Sequence, residues 1–148
     1  MLRSVSFART LFNSASFNAI RPLSSESARV LTPELKERIQ KLVQSGDVVV
    51  FMKGTQNQPM CGFSRNVKLI LDLHKVPFRD YNVLEDEELR AGIKEFSDWP
   101  TIPQIYVKGQ FVGGSDIFVQ MHQEHEIAKF FDEHGIPSKY SETKKPNA

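Results

Sequence analysis

Val48-Val49-Val50-Phe51-Met52-Lys53-Gly54-Thr55-Gln56-Asn57-Gln58-Pro59-Met60-Cys61-Gly62-Phe63-Ser64-Arg65-Asn66-Val67-Lys68-Leu69-Ile70-Leu71 is the stretch whose reading decides the fold. Its first five residues form an unbroken β-branched and apolar run, the pattern of a strand buried on both faces. Lys53 to Met60, with Gly54, Asn57 and Pro59, reads as a loop. Helical spacing follows, with Phe63, Val67, Ile70 and Leu71 on one face. Pro77 then breaks the chain, and Phe78 to Val83 alternates as a strand. A strand–helix–strand unit demands a parallel pair joined by a right-handed crossover.

Upstream, Thr32-Pro33-Glu34 reads as a helix start: a hydroxyl cap, a proline at the first helical position and an acid facing the helix dipole. Leu35, Ile39, Leu42 and Val43 keep the helical period, and Gly46 suits the C-terminal cap. Downstream, Glu85-Asp86-Glu87-Glu88 precedes a helix through Leu89, Ile93 and Phe96, so the acids read as dipole partners and not as a metal site. Trp99-Pro100-Thr101-Ile102-Pro103 is an extended lead into the strand Gln104-Ile105-Tyr106-Val107. Lys108-Gly109 turns the chain, and Gln110-Phe111-Val112 returns as the second arm of a hairpin. Gly113-Gly114-Ser115-Asp116 opens a C-terminal helical region that Gly135 and Pro137 end, leaving a polar tail over 138–148. The element order αβαβαββα predicts an α/β chain with a four-stranded mixed sheet flanked by helices, a thioredoxin-like fold.

The 148 residues carry 19 basic and 18 acidic side chains, with 40% hydrophobic and 25% charged residues. That is ordinary globular usage. It lacks the basic excess of a nucleic-acid binder, and no apolar run reaches the ~20 residues that span a bilayer. One cysteine excludes an internal disulfide, a zinc ribbon and a C-x-x-C couple within the chain. His122 and His125, three apart, lack a third ligand and do not form H-E-x-x-H.

Residues 1–25 hold Arg3, Arg9 and Arg21, six serines and no acid. Val5, Ala8, Phe12 and Ala15 would share a helix face. This composition predicts a cleaved mitochondrial transit peptide over 1–23, cut near Leu23/Ser24, three residues after Arg21. Its removal leaves 16 basic against 18 acidic residues.

Cys61 stands between the strand-exit loop and a helix. There the first helical N–H groups and the positive dipole end favour a thiolate, and Lys53 adds a second positive influence. Ser64 occupies the place of a resolving cysteine and has no usable thiol, so a mixed disulfide on Cys61 must be resolved by another molecule.

Four segments in order carry a specific resemblance: Phe51-Met52-Lys53-Gly54-Thr55, Cys61-Gly62-Phe63-Ser64, Trp99-Pro100-Thr101-Ile102-Pro103-Gln104 and Phe111-Val112-Gly113-Gly114-Ser115-Asp116. Together they resemble the landmarks of the monothiol, CGFS-type glutaredoxins, here of the single-domain mitochondrial type, with the glutaredoxin domain over 29–137. The resemblance implies glutathione held beside Cys61. Lys53 would face the glycine carboxylate, with Arg90 and Lys94 helping at that end. Ile102, before a cis proline, would present its backbone like an added strand. Ser115 N–H would take the γ-glutamyl carboxylate and Asp116 its amine. Some relatives carry cysteine where Ser115 stands, so serine removes a second thiol that could pair with Cys61.

A [2Fe–2S] cluster wants four thiolates. One chain offers one, so the resemblance implies a homodimer bridged by the cluster, in which Cys61 from each subunit and two glutathiones supply the ligands. The expected function is transfer of that cluster from donor to recipient proteins in mitochondrial-matrix iron–sulfur assembly. The alternative is a glutathione-dependent thiol–disulfide oxidoreductase with Cys61 as its catalytic nucleophile. Neither reading involves nucleic acid or a membrane.

Overall fold

The computed structural model describes residues 30–141, so the expected transit peptide over 1–23 and tail residues 142–148 lie outside the described residues. Helix α1, Pro33–Val43, starts where the Thr32 hydroxyl accepts the Leu35 N–H at 3.1 Å. Strand β1 is Val48–Met52, helix α2 is Gly62–Leu73 and strand β2 is Arg79–Asn82. A short 3-10 turn, Val83–Glu85, leads to helix α3, Glu87–Ser97. Asp86 caps α3 by accepting the Leu89 N–H at 2.9 Å and also pairs with Arg38, so the acidic run does serve a helix start. Strands β3, Gln104–Val107, and β4, Gln110–Gly113, form the hairpin, followed by helices α4, Ser115–Gln123, and α5, Ile127–Glu133.

The sheet runs β2-β1-β3-β4. Strands β1 and β2 are parallel, and the other two pairs are antiparallel. This is the four-stranded mixed sheet expected from the element order. All five residues of β1 are buried because both faces are covered. Val48, Val50 and Met52 meet Val67, Ile70 and Leu71 of α2, Phe118 of α4 and Phe131 of α5. Val49 and Phe51 meet Leu35, Ile39 and Val43 of α1 and Ile93 of α3. Each such fully buried side chain contributes ~1.5–3 kcal/mol of transfer free energy. No helix among the described residues is long and apolar enough to cross a membrane.

Five local readings change. Helix α1 ends at Val43 with Gln44 as its C-cap, so Gly46 lies beyond the cap and does not form it. Phe63 is 61% exposed and does not share the buried face of Val67, Ile70 and Leu71, because that face runs back from Val67 to the fully buried Ser64 and leaves Phe63 one position off it. Val83 leaves the strand: the Asn82 side chain accepts the Leu84 N–H at 3.1 Å and starts the 3-10 turn instead. The C-terminal helical region is two helices, divided around His125, whose φ of 61° is left-handed. The polar tail begins as packed chain. Lys139 N–H donates to His74 C=O at 2.7 Å, Ser138 N–H donates to Ser141 Oγ at 2.9 Å, and both serines are buried.

A chain ended after Pro137 is therefore expected to be less stable than one ended after Ser141, by roughly 1–3 kcal/mol for the lost hydrogen bonds and cover over His74. Urea unfolding of the two truncations measures it; equal midpoints would show that the 138–141 packing is incidental.

Candidate functional site

The sheet register gathers the site. Phe51 pairs with Gln104 and Ile105 pairs with Gly113. The end of β1, the start of β3 and the end of β4 therefore share one edge of the sheet. The chain leaves β1 there through Lys53, reaches β3 through Trp99–Pro103, and leaves β4 through Gly114 into α4. These stretches line a cleft of about 290 Å³ together with Phe63 and Lys94. The cleft holds two lysines, the Asp116 carboxylate and the N-terminal turn of α4, a set that suits a ligand bearing both carboxylates and an ammonium.

Buried Gln104 braces one wall: its amide donates to Trp99 C=O at 2.9 Å and to Thr101 C=O at 3.3 Å. The Ile102–Pro103 peptide is cis. Gly114 permits close approach, since a Cβ there would lie 3.0 Å from Trp99 Nε1 and 3.3 Å from Pro103 O.

Cys61 caps α2. Its sulfur accepts the Ser64 N–H at 3.4 Å and lies 3.3 Å from Ser64 Oγ. Ser64 is fully buried, and its hydroxyl oxygen accepts the Lys53 N–H at 3.1 Å, which leaves its own proton free to donate to sulfur. Burial pushes the Cys61 thiol up. Hydrogen bonds from the Ser64 hydroxyl, the Ser64 N–H and the Phe63 N–H, with the charge of Lys53, outweigh it, and the thiol is held below its ordinary range. The arrangement presents a partly exposed thiolate next to a peptide-sized cleft.

A glutaredoxin family model matches residues 48–112. Zebrafish (Danio rerio) glutaredoxin-related protein 5, mitochondrial, is 48% identical over 118 residues, which is 78% of this chain and 76% of that protein. The solution structure of reduced, apo GrxS14 from poplar is 46% identical, with a TM-score of 0.63 over 72% of this chain and 98% of its own. The chain belongs to the monothiol glutaredoxin family. The crystal structure of a buckwheat glutaredoxin–glutathione complex superposes with a TM-score of 0.61 over 72% of this chain and 98% of its own; at 22% identity it bears on the fold alone.

Of the glutaredoxin site residues expected from sequence, Lys53, Lys94, Ile102, Ser115 and Asp116 come together on the cleft. Arg90 is not among its lining residues; its guanidinium lies 3.6 Å from the Glu87 carboxylate, one turn away on α3. Cys61 joins the cleft through Ser64 and Phe63 rather than lining it. Sequence reasoning assigned no role to Phe63 or Trp99 as cleft walls, or to Ser64 as the partner of the sulfur. The position of Ser64, three residues after a helix-capping cysteine, is the signal that could have found it.

Ser64→Ala removes a donor to the sulfur and an acceptor for the Lys53 N–H. Because thiolate is the reactive form, losing a contact that lowers the pKa must move the alkylation-rate midpoint of Cys61 to higher pH. The unpaired Lys53 N–H should cost ~1–3 kcal/mol of stability. Iodoacetamide kinetics against pH test the first point; an unmoved midpoint would mean that the hydroxyl does not act on the sulfur.

Proposed function

We propose that this glutaredoxin binds glutathione in the cleft and, as a dimer, carries a [2Fe–2S] cluster to recipient proteins of the mitochondrial matrix. The observation that carries the reading is the solitary thiol: the chain's one cysteine caps a helix beside the cleft, with a buried serine where a resolving thiol would stand. A four-thiolate cluster fits this donor set only if two chains give one thiolate each and two small thiols give the others. Glutathione bound beside Cys61 would supply that thiol. Lys53 and Lys94 would pair with its glycine carboxylate, the Ile102 backbone would align its cysteine, and Ser115 N–H with Asp116 would take the γ-glutamyl end. Arg90 would have to leave Glu87 to take part.

Met60 and Phe63 flank Cys61 and are 64% and 61% exposed, an apolar rim that two copies meeting at the cluster would cover. The mitochondrial name of the zebrafish relative supports the compartment, and the two lysines, Asp116 and the α4 N-terminus on the cleft support the ligand. A cleaved leader over 1–23 followed by a domain over 29–137 completes the reading. The cluster is cargo: ligands held partly by exchangeable glutathione would let it leave for a recipient.

The lowered thiol favours a second activity. Cys61 thiolate would attack the glutathione sulfur of a protein–glutathione disulfide, expelling the protein thiolate. A second glutathione thiolate would then attack the mixed disulfide, restoring Cys61 and leaving oxidised glutathione.

Anaerobic reconstitution with iron, sulfide and glutathione separates the two. The expected product is a coloured dimer with about one cluster and two glutathiones per two chains, the ratio set by four thiolates. Cys61→Ser should yield none, and Lys53→Glu or Asp116→Ala should lower the yield without removing an iron ligand. Size-exclusion mass, visible absorption and glutathione content are read on the same fractions. A coloured monomer, or a coloured dimer free of small thiols, would leave the oxidoreductase reading standing alone.

A further inference from the structure

The loop between β1 and α2 carries Lys53 into the cleft and delivers Cys61 to its helix, yet its residues bury little apolar surface. Polar contacts hold it instead. Internally, Gly54 bridges Pro59, Met60 N–H donates to Lys53 C=O at 2.9 Å, and Thr55 and Gln58 exchange N–H···O=C bonds of 3.1 Å each. Gly54 has φ +89°, and a Cβ there would stand 2.4 Å from Gln58 O and 2.7 Å from Met60 N, so glycine alone fits. Across from the loop, two side chains of β2 reach its backbone. Asn82 Oδ1 accepts the Gly54 N–H at 2.9 Å. The Asp80 carboxylate accepts the Gln56 N–H at 2.8 Å and the Gln56 side-chain amide at 3.0 Å.

Asp80 and Asn82 stand two apart on an edge strand, and so do Gly54 and Gln56 on the loop. Alternate strand residues point the same way, so the two acceptors meet two successive outward N–H groups, one at the stem of the loop and one near its tip. Neither acceptor is part of the apolar core. We propose that Asp80 and Asn82 are positioning residues of the glutathione cleft, holding the Lys53–Met60 loop so that Lys53 lines it. Asn82 also starts the 3-10 turn, so its loss would disturb β2 as well, whereas Asp80 gives the cleaner test. The inference rests on the reading that glutathione occupies the cleft.

The full chain is titrated with glutathione by calorimetry, and amide hydrogen exchange is followed at Gly54 and Gln56. Asp80→Ala should weaken glutathione roughly three- to tenfold, the range of one ordinary net hydrogen bond passed on through the loop, and speed exchange at Gln56. Asp80→Asn, which keeps one acceptor oxygen, should recover most of both. If Asp80 acts through Lys53, then in a Lys53→Gln background Asp80→Ala should change affinity by less than about twofold. A full, undiminished loss in that background, or wild-type affinity despite fast exchange, would overturn the proposal. Should the wild type fail to bind glutathione, the functional reading falls, and exchange at Gln56 alone then decides: retained protection in Asp80→Ala refutes the anchor, lost protection supports it. If Asp80→Ala does not fold, Gln56→Ala cuts the side-chain half of the contact from the loop side and is read by the same measurements.

Discussion

The Ser64 N–H aimed at the sulfur of Cys61 is the contact that the surrounding structure maintains. The first N–H groups of a helix have no carbonyl partner within it, and here sulfur stands in for the usual capping oxygen. The helix that offers them is fixed independently of the cysteine, because Val67, Ile70 and Leu71 anchor α2 against β1. The Ser64 hydroxyl ties the same turn to Lys53 as the chain leaves the strand. A thiolate forming on Cys61 thus meets donors already in place, with their orientation settled by folding.

The cleft depends on sheet register in the same way that the thiol depends on the helix. Its lining residues come from stretches separated by tens of residues, and they meet because β1, β3 and β4 pair so that the relevant ends coincide. A one-residue slip in β3 would reverse which side chains enter each core face. Ile105 and Val107 pack into one core face and Tyr106 into the other, while the Gln104 amide is held on the Trp99 and Thr101 carbonyls, and that division excludes the slip. The apolar core therefore specifies the polar site at its edge.

The same division explains what was legible in the sequence. Strand and helix identities follow from periodicity, and the mixed sheet follows from a strand–helix–strand unit joined to a hairpin. Capping followed from Thr32 and from the acids before Leu89, where local chemistry decides the matter. Phe63 broke the helical pattern because spacings of three and four both satisfy the helical period, and the buried face runs from Val67 back to Ser64, three residues away, and not to Phe63, four away. Arg90 has the charge for a ligand, yet i,i+3 spacing gives it Glu87 as an intrahelical partner. Asp80 and Asn82 left no periodic trace at all: their bonds cross 24 and 28 positions of sequence, and only the folded chain brings donor and acceptor together.

Serine at position 64 has a consequence beyond the missing thiol. A cysteine there would place a second oxidisable sulfur at the helix start, where a neighbouring thiolate is reactive. The serine hydroxyl lies in the same neighbourhood, accepts a backbone N–H that would otherwise be buried without a partner, and cannot be oxidised to a disulfide. Cys61 therefore has no partner within its own chain, whether it serves as ligand or as nucleophile, and each role draws on a thiol from outside. On the reading proposed here, both roles would call on the same cleft. What distinguishes them is whether a second chain can approach Cys61, and the exposed Met60 and Phe63 on either side of it make that approach favourable by the apolar surface it would remove from water.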